Sequence, residues 1–132
     1  MILPITTLSV MVAAAMLIAL SVPVSLSRAR LGIAVGDPRE DETLTRRIRA
    51  HGNFTEYVPL ALLLIALVEV SKNLHAAIAL AVILLVARLA HAAGTLTGTT
   101  WLRGIGLLAT FVTLFGGIAV LALEFAVTGP LK

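Results

Sequence analysis

From Ile2 to Leu26 the chain carries no charged side chain. About 20 apolar residues suffice to cross a bilayer as a helix, so this run alone points to a membrane. It lacks a basic leader region and is too long for the apolar core of a signal peptide, so we expect a retained first helix. Composition agrees: 59% of the residues are hydrophobic and 13% are charged, against about half and about a quarter in soluble domains. The expectation is an integral membrane protein of one domain, residues 1–132. The net charge of +3 comes from basic residues lying between apolar runs. That pattern sets membrane orientation and does not call for nucleic acid as a partner. There are no cysteines, so disulfides and thiolate metal sites are excluded, and any sulfur nucleophile must come with a ligand.

Residues 74–93 and 102–128 form two more runs long enough to span. The remaining run, Tyr57 to Val70, is too short to cross by itself. It spans only if the polar stretch upstream, from about Leu44, continues the same helix into the membrane. The fold class expected is therefore all-α, a four-transmembrane-helix bundle, with helices at about 2–26, 44–70, 74–94 and 102–128. The first connection holds a turn signal, Gly36-Asp37-Pro38, and Arg28, Arg30, Arg39, Arg46 and Arg47 lie in or beside it. The second has only Lys72, and the C-terminus only Lys132. Positive-inside reasoning puts the 1–2 and 3–4 connections in the cytoplasm and both termini outside, with Trp101 as an interfacial anchor.

The polar groups repeat at helical spacing. At 100° per residue, Arg46, Arg49, Asn53 and Glu56 share an arc of about 80° on helix 2. Arg88, His91 and Thr95 form a second stripe on helix 3. Arg28 and Arg103 reach the same depth from helices 1 and 4. Taken singly, such arginines usually snorkel to lipid phosphates, and Glu56 could simply neutralise Arg49 or Arg88. Taken together, Arg28, Arg46, Arg49, Arg88 and Arg103 outnumber Glu56 by four charges. A closed salt-bridge network would not bury that excess. An anionic ligand removes it: guanidinium forks suit carboxylates, Glu56 suits an ammonium, and Asn53 both donates and accepts. An arginine beside a ligand thiol would favour the thiolate.

The segment Arg-Ala-His-Gly-Asn-Phe-Thr-Glu-Tyr-Val-Pro, residues 49–59, resembles the signature of the MAPEG family, the membrane-associated proteins of eicosanoid and glutathione metabolism. Its core is Arg-Ala-x-x-Asn-x-x-Glu, followed shortly by proline. Ala-Arg-x-x-His at 87–91 and Arg103 match the family's third and fourth helices. The likeness spans essentially the whole chain and is strongest to the small bacterial, microsomal glutathione transferase-like branch. It implies a homotrimer in a bacterial inner membrane, with glutathione as co-substrate at subunit interfaces on the cytoplasmic side. By resemblance, Arg28, Arg49 and Asn53 hold the carboxylates and backbone of glutathione, and Glu56 its amino group. Tyr57 and His91 line the neighbouring wall, Arg46, His51 and Arg88 support, and Arg103 stabilises the thiolate as the catalytic residue.

Some eicosanoid enzymes of the family have a tyrosine where this chain has Thr95 and a serine where it has Gly104. That departure argues against a specialised prostaglandin or leukotriene synthase. It leaves a glutathione-dependent transferase or peroxidase acting on lipophilic electrophiles from the bilayer. The alternative is a non-catalytic glutathione- or lipid-binding scaffold of the same fold. A small transporter fits poorly, because the polar residues sit on one side rather than at the midplane. Elsewhere, we expect Pro59 to kink helix 2, Gly116-Gly117 to admit a close neighbour, Glu124 to be interfacial, and Glu69 to pair weakly with Lys72 at the surface.

Overall fold

A computed structural model describes residues 3–33, 35, 38 and 41–129. It contains four helices: α1 (Pro4–Leu31), α2 (Glu42–Val70), α3 (Leu74–Thr97) and α4 (Thr100–Thr128). All four are long and apolar enough to cross a membrane. The turn at Gly36 and Asp37, Arg39 and Lys132 lie outside the described residues.

The short apolar run of the second span is carried by one continuous helix. α2 starts at Glu42, where the side chain of Asp41 accepts the Leu44 N–H at 2.5 Å, a standard N-cap. It runs unbroken through Pro59 to Val70. At about 1.5 Å per residue, its 29 residues reach about 44 Å, more than a hydrocarbon core of about 30 Å. The polar stretch is therefore the first half of the same helix that carries the apolar run.

The other boundaries depart from the sequence expectation for one reason: hydropathy marks where the membrane ends, not where the helix ends. α1 continues past Leu26 to Leu31 and stops at Gly32, whose φ of 66° is left-handed. Gly32 and Ile33 N–H groups close on the Ala29 and Arg28 carbonyls. Arg28 and Arg30 thus occupy the last turn of α1, where cations favour the helix dipole. α3 likewise runs beyond residue 94 to Thr97 and ends at Gly98, φ 78°. α4 begins at Thr100 rather than 102.

Neighbouring helices run antiparallel. At one end of α1 and α2, Arg47 donates to Ser27 Oγ. At the other end, Glu69 meets Ile5 and Thr6. α2 and α3 each pack on the other three helices, whereas α1 and α4 do not pack on each other among the described residues. Two apolar clusters hold the bundle. One joins Ala61, Ile65 and Val68 of α2 to Ala77, Leu80, Ala81 and Leu84 of α3. The other joins Ala13 and Leu20 of α1 to Ala50, Phe54 and Val58 of α2 and Ala92 of α3.

The α3–α4 contact is backbone to backbone. A side chain at Gly94 would strike the backbone of Leu102 and Arg103, and one at Gly106 would strike that of Ala87 and His91. These glycines let the two helices close to a distance no larger residue permits. Gly116 and Gly117 pack more loosely. A methyl group added at either would stand 3.1 Å from a leucine side chain, Leu80 or Leu64 respectively.

Glu69 is not a surface residue paired with Lys72. It is 4% exposed and its carboxylate caps α1, accepting from Ile5 N at 2.9 Å, Thr6 N at 2.8 Å and Thr6 Oγ1 at 2.6 Å. Lys72 has a φ of 68° and only its backbone N–H reaches Glu69, at the carbonyl. The partner of Glu69 is thus a helix N-terminus 64 residues away, which local spacing does not reveal. Glu124 accepts from Asn73 Nδ2 at 3.2 Å, and Asn73 also caps α3 through Ala76 N.

Candidate functional site

The charged end of the bundle holds two grooves, one on each side of α2. The groove between α2, α3 and α4 has a volume of about 430 Å³ and is lined by Arg49, Asn53, Glu56, His91, Thr95 and Arg103, together with Ile48 and Gly52. The periodicity of α2 explains three of these: Arg49, Asn53 and Glu56 lie four and three residues apart on one helix face. His91 and Thr95 do the same on α3. Arg103 reaches the groove because Gly94 lets the start of α4 lie against α3.

Arg88 lies behind this groove, 1% exposed. Its Nη2 donates to Asn53 Oδ1 at 2.8 Å and sits 3.5 Å from His91 Nδ1. Its Nη1 donates to Thr110 Oγ1 at 3.3 Å, and its Cζ stands 5.7 Å from the centroid of the Phe54 ring, within cation–π range. Nε has no hydrogen-bond partner among the described residues. No carboxylate of the described residues lies within ion-pair distance of Arg88.

Not every residue expected at the site reaches this groove. Arg46 turns back along its own helix to Glu42, Nη2 to Oε1 at 2.5 Å, and its guanidinium packs over Gly98 at the end of α3. Arg46 and Arg47 line the opposite groove, about 400 Å³, with Leu20, Pro23 and Leu96. The shared arc placed Arg46 with Arg49, but its long side chain reaches back one turn to the acid at the start of the helix. With Arg46 neutralised and Arg28 elsewhere, Arg49, Arg88 and Arg103 exceed Glu56 by two charges around the groove, not four. Arg28 lies in the last turn of α1 and His51 is not among the lining residues. Tyr57 meets the edge of Phe111 on α4, ring centroids 5.8 Å apart, and is not among the lining residues.

The excess that remains is not a buried one: Arg88 is buried, whereas Arg49 and Arg103 are exposed along the groove. Glu56 is exposed and makes no ion pair with Arg49, Arg88 or Arg103. The neutralising role open to it in the sequence is therefore not the one it has. Sequence reasoning passed over Thr110, a fully buried hydroxyl on α4 that receives Arg88 and donates to the Gly106 carbonyl at 2.8 Å. It also passed over Gly94 and Gly106. The signal present was a threonine and two glycines inside apolar helices, each of which reads as ordinary membrane composition.

Comparison with family models gives one match, to the MAPEG family, over residues 6–123. The chain belongs to the MAPEG family. This membership covers nearly all of the four helices, and it makes the chain a multi-pass membrane protein of a family tied to glutathione and eicosanoid metabolism. Neither the curated proteins nor the solved structures compared with it gave a match. Within this MAPEG chain, the Thr95 hydroxyl donates to the His91 carbonyl at 2.8 Å, so its proton is committed to the backbone. Gly104 has open space where a side chain would stand. Of the groups lining the groove, Arg103 is the one on α4.

Proposed function

We propose that the groove binds reduced glutathione and holds its sulfur as a thiolate for attack on a lipophilic electrophile arriving from the bilayer. The observation that carries this reading is the unneutralised charge of the groove: two arginines on its walls and one beneath it, facing a single, unpaired carboxylate. Arg49 and the Asn53 amide take the carboxylates and peptide backbone of the tripeptide. Glu56 takes the ammonium. Arg103 stands over the sulfur. The thiol proton passes to water at the open mouth, and the guanidinium stabilises the anion left behind. A new sulfur–carbon bond then forms as the leaving group departs from the electrophile with the bonding electrons. With a hydroperoxide, the thiolate attacks the terminal oxygen, the O–O bond breaks and the alkoxide leaves, taking a proton from water to become the alcohol. A second glutathione then converts the sulfenic acid to the disulfide and water.

α1 does not contact α4 among the described residues, so Arg28 joins Arg103 only if a second subunit presents it. The homotrimer, with Arg28, His51 and Tyr57 meeting the groove of a neighbour, therefore forms part of this proposal. So do the bacterial inner membrane and an orientation with the grooves on the cytoplasmic side. Arg46, by contrast, is engaged with Glu42 and acts as a support for the α3–α4 turn.

A second reading, a binding scaffold without turnover, is favoured by one feature. Within one subunit, Thr95 has its hydroxyl bonded to its own helix and Gly104 has no hydroxyl, so neither donates to the sulfur. The two readings separate in one experiment. Glutathione added to detergent-solubilised protein should raise the ultraviolet absorbance of a thiolate, and Arg103→Ala should abolish that signal with a loss of about 100-fold in turnover. Full thiolate absorbance in the Arg103→Ala variant would remove Arg103 from the mechanism. Thiolate formation in the wild type with no conjugation or peroxide reduction across a broad panel would favour the scaffold.

A further inference from the structure

A guanidinium has five N–H donors and no acceptor. Whatever faces Arg88 must therefore present an acceptor to it, and two groove residues do. Asn53 turns Oδ1 to Arg88 Nη2 at 2.8 Å, which leaves its donor end, Nδ2, for the groove that Asn53 lines. The His91 atom nearest the same Nη2 is Nδ1, at 3.5 Å. Against a donor, Nδ1 is the acceptor, so the ring proton sits on Nε2. Without Arg88 neither choice is forced: an amide can turn over and an imidazole can carry its proton on either nitrogen.

The energetics of Arg88 point the same way. It is buried, it lacks a carboxylate among the described residues, and its Nε lacks an acceptor there. Burial of a charge so incompletely satisfied works against stability. Arg88 is thus poorly accounted for as a brace.

We infer that Arg88 is a positioning residue that holds Asn53 and His91 with their donor ends toward the groove. The floor of the groove then accepts carboxylate or carbonyl oxygens and rejects an ammonium. This deepens the glutathione reading and rests on it for the identity of the ligand. It adds His91 Nε2 as a second donor beside the Asn53 amide, both set by Arg88. Arg88 acts through the other two residues and does not touch the ligand.

The test uses full-length protein in detergent. Nitrogen-15 labelling of the histidines, of which there are three, reads the tautomer of His91 without any ligand, with His91→Gln providing the assignment. The wild type should show the proton on Nε2, Arg88→Met should lose that single tautomer, and Arg88→Lys should retain it. Calorimetry with reduced glutathione should show Arg88→Met binding at least tenfold weaker, and Arg88→Lys recovering most of the loss. In an Asn53→Ala background, Arg88→Met should cost no more than a further two- to threefold, because one of the residues it acts through is gone. The melting temperature of Arg88→Met should equal or exceed that of the wild type. An unchanged His91 tautomer in Arg88→Met would overturn the inference. So would a lowered melting temperature accompanied by the same loss of affinity in both backgrounds. A wild type that fails to bind glutathione would sink the ligand reading, while the tautomer measurement still decides the role of Arg88.

Discussion

Among the described residues, the bundle buries two side chains of opposite charge, Glu69 and Arg88, and the two are finished differently. Glu69, near the start of α1, accepts three hydrogen bonds and sits at a helix N-terminus, where an anion is favoured by the backbone dipole. Arg88, at the far end, has a donor left over and no anion within reach among the described residues. Glu69 is saturated by the fold itself. Arg88 is satisfied only in part, and the groups it does reach line a groove. The charge that the chain completes braces the fold, and the one it leaves incomplete stands behind the residues that line the groove.

That contrast is open to attack from either end. The largest expected effect is on Glu69. Replacing it with alanine strands two backbone N–H groups of α1 and should cost about 3 kcal/mol, read as a fall of several degrees in melting temperature with glutathione affinity unchanged. A melting temperature held in Glu69→Ala would erase the distinction between the two charges. Next in size is Gly94→Ala, whose methyl group meets the backbone of Arg103. Forcing α3 and α4 apart should cost about 2 kcal/mol. Unlike the Glu69 variant, it should weaken the thiolate signal as well, because it shifts Arg103. Retention of full thiolate absorbance would mean that the glycine contact does not position Arg103. The smallest change in stability is expected for Gly104→Ser, which enters open space and should stay within about 0.5 kcal/mol of the wild type. Its hydroxyl should raise turnover severalfold if Arg103 alone stabilises sulfur. No gain in conjugation or peroxide reduction would place the sulfur away from residue 104.

Much of the groove is legible in the amino-acid sequence. Arg49, Asn53 and Glu56 on α2, with His91 and Thr95 on α3, follow from helical spacing and meet as that spacing implies. The extension of the polar stretch into the membrane follows too, since Tyr57–Val70 is too short to cross by itself. What spacing cannot supply is the direction of a long side chain and contacts made far along the chain. Arg46 shares an arc with Arg49 but chooses Glu42. Glu69 of α2 looks like the partner of Lys72 but caps the start of α1. Gly94 and Gly106 are poor helix formers by propensity, and only the approach of α4 shows why they are there. Arg88 is legible as polar and placed with His91, yet its missing counter-charge shows only when all four helices are packed.

The most direct measurement is calorimetric titration of reduced glutathione into the solubilised wild type, Arg49→Ala and Glu56→Gln. Saturable binding by the wild type is expected, weakened at least tenfold by either substitution while the melting temperature stays within a degree or two. Absence of binding by the wild type, or equal affinity in all three proteins, would contradict the assignment of this groove as a glutathione site.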